Sequence, residues 1–158
     1  MALVKGVFFD TSVLLSGLIE LGPASRNAHI LLDQVAASRG GRPLTAWHCC
    51  LEFYSVATRL PEELRLTPAD AFVLLESEVF GRFDVRDLPA AARQEFLRSA
   101  AREGIRGGRL YDRHIAEIAR RSGSRVVVTD NGRHFQRLEA AGVRVVSATE
   151  FLAEARKR

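Results

Sequence analysis

The sequence predicts an α/β fold of three layers, a central, mainly parallel, twisted sheet of about five strands with helices on both faces. Three observations predict it. Short apolar runs rich in Val and Phe recur along the chain, and several end directly in an acid. Stretches with apolar residues at helical spacing stand between them. Clusters of Gly, Pro and Ser are short and fall between these segments, as turns do. Strands alternating with helices form a parallel sheet covered on both faces. No internal repeat or linker divides the 158 residues, so a single domain over 1–158 is expected.

Leu3 to Phe9 reads as a buried strand ending in Asp10. Thr11 and Ser12 are placed to cap the helix that follows, through Val13, Leu14, Leu15, Leu18 and Ile19, until Gly22-Pro23 breaks it. Ser25 to Ala37 is a second amphipathic helix, with Ala28, Leu31, Leu32 and Val35 on one side. A turn over Arg39 to Pro43 leads to a short strand, Leu44 to Ala46. Trp47 to Leu60 is a helix closed by Pro61. Thr67-Pro68 opens the next, which runs to about Phe80, with Pro in the favourable first turn. Phe83 to Asp87 is a weaker strand, and Pro89 starts a helix through Ala101. A flexible Gly104–Gly108 stretch precedes a helix from Arg109 to Ser122. Arg125 to Thr129 is a clear buried strand, followed by a turn and a helix from His134 to Ala141. Val143 to Val146 is the last strand and Ser147 to Ala155 the closing helix.

Composition excludes several classes. Hydrophobic residues make up 47% and charged residues 27%, ordinary for a soluble globular protein. No apolar run reaches the roughly 18 to 20 residues that a membrane span needs. Met1 to Lys5 lacks the marks of a secretory leader, and a cytoplasmic protein is expected. Cys49 and Cys50 are adjacent, which disfavours a bond between them; they read as small buried hydrophobes. No second Cys or His pair stands at zinc-ligand spacing. The 23 basic residues exceed the 19 acidic ones, for a net charge of +4, a modest lean toward an anionic partner such as nucleic acid.

In open α/β sheets the site lies beyond the carboxyl ends of the strands. Asp10 follows the first strand, and Asp130 and Asn131 follow the fourth. If these strands are neighbours, their side chains converge on one crevice. Glu52 and Asp112 sit inside otherwise apolar helical patterns. Each acid alone has a plainer reading. Asp10 caps a helix or pairs with an Arg, Glu52 reaches out from a half-buried face, Asp112 answers a helix dipole and Asp130 shapes a turn. Capping alone hardly produces all four. Clustered carboxylates raise one another's pKa values, and a divalent cation relieves them. Oxygen-only ligands suit Mg²⁺ or Mn²⁺.

Four segments carry a family resemblance: Phe8 to Leu15, Leu51 to Arg59, Gly107 to Asp112, and Val128 to Phe135. In this order and at these separations they resemble the PIN-domain family, and within it the VapC-type toxins of bacterial toxin–antitoxin pairs. The resemblance implies a PIN-like fold and a metal-dependent endoribonuclease that leaves a 5′-phosphate and a 3′-hydroxyl. It places the family's first three metal-holding acids on Asp10, Glu52 and Asp112, with Thr11 or Ser12 supporting them. The fourth position falls on Asn131 in the aligned slot, with Asp130 as the alternative ligand and catalytic acid. It further implies Mg²⁺ or Mn²⁺ as cofactor, RNA such as tRNA or ribosomal RNA as substrate, a homodimer, and a small antitoxin that blocks the site. Arg106, Arg109 and Arg113 are candidates for neighbouring phosphates, although surface Arg in a solvated face is the commoner case. His114 and His134 read as surface or packing residues, and Tyr111 as a core or rim residue.

Overall fold

The computed structural model describes residues 4–157. Five three-residue strands form one sheet: β1 (Val7–Phe9), β2 (Leu44–Ala46), β3 (Asp84–Arg86), β4 (Val126–Val128) and β5 (Arg144–Val146). Their order is β3-β2-β1-β4-β5 and every pairing is parallel. β1 is therefore central. Val7, Phe8 and Phe9 are all buried, the continuous apolar run expected of a strand covered on both faces. Of the expected strand from Leu3, Leu3 itself lies outside the described residues. The extended run starts only at Val7 because Gly6 takes a left-handed backbone conformation, φ +76°, and turns the chain.

Eight helices flank the sheet among the described residues. They are α1 (Thr11–Leu18), α2 (Arg26–Ala37), α3 (Trp47–Ala57), α4 (Pro68–Leu74), α5 (Ala90–Arg102), α6 (Arg109–Arg121), α7 (Arg137–Ala140) and α8 (Ala148–Ala155). α1 packs on α2 and α2 on α8; α3 packs on α6 and α6 on α5. Ser147 and Glu150 form a reciprocal capping box at α8.

Two helices differ from expectation. The one from Pro68 widens into a π-helical segment at Leu75–Phe80, which keeps Leu75 and Val79 buried while Phe72 and Val73 stay exposed. The expected helix from His134 to Ala141 is instead a 3₁₀ turn (Gly132–His134) and the four-residue α7. Phe135, at the junction, is buried in the core.

One buried carboxylate organises α6. Glu117 accepts hydrogen bonds from Arg121 (2.7 Å), Arg120 (2.8 Å) and Arg113 (3.3 Å). Burial alone would raise its pKa, but the three guanidiniums prevail and hold it at about 2. Its folded pKa thus lies below its ordinary value of 4.5. The stability it contributes is present above that value and is lost as pH falls through about 2. Glu117→Gln is expected to destabilise the protein by about 1–3 kcal/mol at neutral pH. In urea melts, the gap to the parent should narrow as the pH falls below 4.5. A gap that stays constant with pH would refute this role.

Candidate active site

β1 and β4 are neighbours, with Phe9 in register with Val128. The next residue on each strand faces the other across the carboxyl edge of the sheet. The Asp10 amide donates to the Val128 carbonyl (3.1 Å), which extends the pairing to the first acid. Asp10 also holds the N-cap position of α1, where its carbonyl accepts from the Val13 and Leu14 amides. Its side chain makes no capping bond. The carboxylate instead accepts from Thr129 Oγ1 (2.8 Å) and Ser12 Oγ (3.0 Å). The expectation that Thr11 and Ser12 cap α1 is thus corrected. They are its first two residues, because the turn off β1 is complete at Asp10.

Ser12 links the two strand ends: its hydroxyl donates to Asp10 and accepts from the Asp130 amide (3.0 Å). Thr11 is buried, and its hydroxyl oxygen has no hydrogen-bond partner among the described residues. Asp10 itself is 4% exposed. Burial pushes its pKa up, the Thr129 and Ser12 hydroxyls pull against this, and the charge of Glu52 adds to the rise.

Glu52 reaches the same neighbourhood from α3. That helix starts directly after β2, and Cys49, Cys50 and Phe53 anchor it in the core. Both thiols are free, and burial raises the pKa of each, that of Cys50 to about 12. Glu52 Oε1 lies 3.1 Å from His48 Nε2, one turn earlier. The two are close but poorly aligned, so this buried oxygen lacks a proper hydrogen bond. His48 Nδ1 in turn meets His114 Nδ1 at 2.8 Å, so one ring is the donor there and the other the acceptor.

Asp112 stands in the first turn of α6 and pairs with His134 Nδ1 at 3.0 Å. Burial raises its pKa, His134 opposes this, and the charge of Glu52 raises it further. Glu52 is therefore electrostatically coupled to both Asp10 and Asp112. Glu52 on α3 thus stands between the acid after β1 and the acid on α6 in its electrostatic effect.

Asp130 is exposed and accepts from Ser16 Oγ at 3.2 Å. Asn131 is also exposed, and its amide donates to Thr129 Oγ1 (3.0 Å). Among the described residues, no three His, Cys, Asp or Glu side chains stand close enough to hold one ion. Asp10 and Asp112 already have protein partners, and a histidine stands close to Glu52. The oxygen-only donor set, the unsatisfied Glu52 oxygen and the mutual repulsion nevertheless suit a hard divalent cation chemically. Binding one means exchanging the histidines for the ion.

Sequence reasoning missed His48 and Thr129, and took His114 and His134 for surface or packing residues. His134 is an exposed residue that contacts an acid of the site, and His114 reaches the site through His48. The signal for His48 was its position four residues before Glu52 on a predicted helix, which puts both on one face. A groove of about 920 Å³ leads away from Asp112 and His134, lined by Arg109 and Arg113 among others. Arg106 is exposed and stands outside its lining. Tyr111 lies at the rim, exposed, with its ring 5.3 Å from that of His48.

Comparison with known proteins gives a consistent picture. The PIN domain family model matches residues 7–141. Ribonuclease VapC27 of Mycobacterium tuberculosis is 38% identical over 102 residues, 64% of this chain and 71% of that protein. The crystal structure of VapC20 from the same species, a Sarcin-Ricin loop cleaving toxin, has a TM-score of 0.61 at 18% identity, covering 87% of this chain and 95% of that one. DNA-bound VapBC from Salmonella typhimurium has a TM-score of 0.61 at 23% identity, covering 90% and 97%. At such identities the two structures show a shared fold.

Proposed function

The chain belongs to the PIN-domain family, and from that premise we propose that it is a divalent-metal-dependent endoribonuclease in which residues 1–158 form one PIN domain. The observation that carries this reading is the buried Asp10 carboxylate at the carboxyl edge of the sheet, held by Ser12 and Thr129 where β1 and β4 end side by side. The similarity to Ribonuclease VapC27 supports RNA as the substrate class. Asp10, Glu52 and Asp112 would hold Mg²⁺ or Mn²⁺, with Asp130 as a further ligand and Asn131 beside it. Bound there, the ion would act as a Lewis acid that lowers the pKa of the attacking water and stabilises charge on the phosphate.

The remaining work falls to the chain itself. Ser12 and Thr129 hold the Asp10 carboxylate in place. Either Asp130 or Glu52 would take the proton of the attacking water. His134 keeps Asp112 aimed until the site is loaded. The products carry a 5′-phosphate and a 3′-hydroxyl. The same reading extends to a cytoplasmic homodimer inhibited by a small antitoxin, with tRNA or ribosomal RNA as target. No helix among the described residues is long and apolar enough to cross a membrane.

The lack, among the described residues, of three acids or histidines close enough to hold one ion favours one alternative, a non-catalytic RNA-binding scaffold. One experiment separates them. Purified protein is incubated with RNA and with DNA of matched sequence, in Mn²⁺ and in excess chelator. RNA cleavage yielding 5′-phosphate ends is expected in Mn²⁺, falling to background with chelator. Cleavage that persists in chelator, or equal cutting of DNA, would overturn the proposal; RNA bound but uncut, with no Mn²⁺ binding by calorimetric titration, would favour the scaffold.

A further inference from the structure

Arg109, Arg113, Glu117 and Arg120 recur along α6 at i, i+4, i+8 and i+11, so they share one stripe of the helix. Arg133, His134 and Arg137, from the segment after β4, face them across the groove that leaves the acids at Asp112. From Arg109 to Arg120 the helix rises about 16 Å, enough for several phosphates of one strand.

The lining contains five arginines against three carboxylates, Glu103, Asp112 and Glu117. Two of those acids are shared and so cannot cancel the positive charge. Glu117 holds Arg113, Arg120 and Arg121, and Glu103 bridges Arg113 and Arg137. Such sharing fixes guanidinium groups in place while leaving an excess of donors. Arg109 and Arg133 have no carboxylate within ion-pair distance among the described residues, so their forks are available to the groove. A planar fork of N–H donors matches phosphate oxygens.

We propose that this groove is a phosphate track that holds the backbone of the RNA strand leading away from the scissile bond. Arg109 and Arg133 contact phosphates directly. Glu117 and Glu103 act as positioning residues that hold Arg113, Arg120 and Arg137 along the wall. The occupant is a single strand because the groove begins at Asp112 and runs along one helix, a length that fits a few nucleotides. The assignment rests on the ribonuclease reading only for the identity of that strand.

The test uses the Asp10→Asn protein, so that binding is measured without cutting. A short fluorescein-labelled oligouridine is titrated by anisotropy at about 50 to 200 mM salt. Adding Arg109→Ala and Arg133→Ala together should weaken binding about tenfold. It should also reduce the slope of log K against log salt by about 1.4, at about 0.7 per lost single-strand contact. Arg156→Ala, in a separate hollow beside α8, should leave both unchanged. An unchanged slope in the double variant overturns the track, and so does weaker binding without a change in slope, which marks lost packing. A polyglutamate peptide that binds the groove through these arginines, while oligouridine ignores them, assigns the surface to an acidic protein and also overturns it. The two readings fail separately. If the slope responds but the parent cuts no RNA, the track stands and the ribonuclease falls. If the parent cuts RNA, and Arg109→Ala with Arg133→Ala leaves KM unchanged on the parental background and the slope unchanged on the Asp10→Asn background, only the track falls.

Discussion

Asp10→Asn leaves a folded protein whose kcat/KM on RNA is lower by about a thousandfold or more, a loss of about 4 kcal/mol of transition-state stabilisation. Asp10 is the most buried of the candidate acids, and it stands where β1 and β4 end side by side. An amide in its place keeps an oxygen that accepts from Ser12 and Thr129 but removes the charge a cation needs. Stability should move the other way. The pKa of Asp10 in the fold is raised above its ordinary 3.8 by burial and by Glu52. For an acid shifted upward, the contribution to stability is full below the unfolded pKa and is lost as pH rises through the folded one. Above 3.8 the raised pKa therefore weakens the fold, and at neutral pH the Asn variant should melt at or above the parental temperature. That advantage should vanish as the pH falls below 3.8. Mn²⁺ should raise the parental melting temperature by mass action and leave the variant unmoved. Parental cleavage rates in the pure variant would end the assignment.

Phe9→Ala has the largest effect expected on stability, about 3–5 kcal/mol. Phe9 is fully buried, one residue before Asp10, and meets Phe83 edge to face with ring centroids 5.4 Å apart. β1 is held on both sides by β2 and β4, so the backbone cannot close over the space left behind. For a domain whose total stability is about 5–15 kcal/mol, this is a large fraction. Phe9→Leu keeps most of the volume and should cost less than about 1.5 kcal/mol. Urea midpoints of the two variants decide the matter. A loss below about 1 kcal/mol for Phe9→Ala would show that the core relaxes around the site.

Much of this architecture is legible residue by residue. Leu44–Ala46 is a strand within the expected bounds, and Thr67-Pro68 opens its helix with Thr67 accepting from the Asp70 amide. The acids after β1 and β4 stand out because an ionisable group ending an apolar run costs free energy unless it is paired, capping or bound to a cation. The misses have identifiable causes. Gly6 shortens β1 through its backbone conformation, which the apolar pattern does not encode. The π-helical turn at Leu75–Phe80 and the split around Phe135 depend on which side chains the core accepts.

Local pattern alone, then, determined the alternation of strands and helices, the burial of Cys49 and Cys50, and the strand-end setting of Asp10 and Asp130. Periodicity and polarity are properties of neighbouring residues. Only tertiary packing decided that β1 lies beside β4, that Thr129 reaches Asp10 from 119 positions away, and that His134 answers Asp112. It also decided that Glu117 and Glu103 hold a fan of arginines along one groove. Contacts between residues far apart in the chain follow from strand order and helix packing, and no short-range periodicity specifies either.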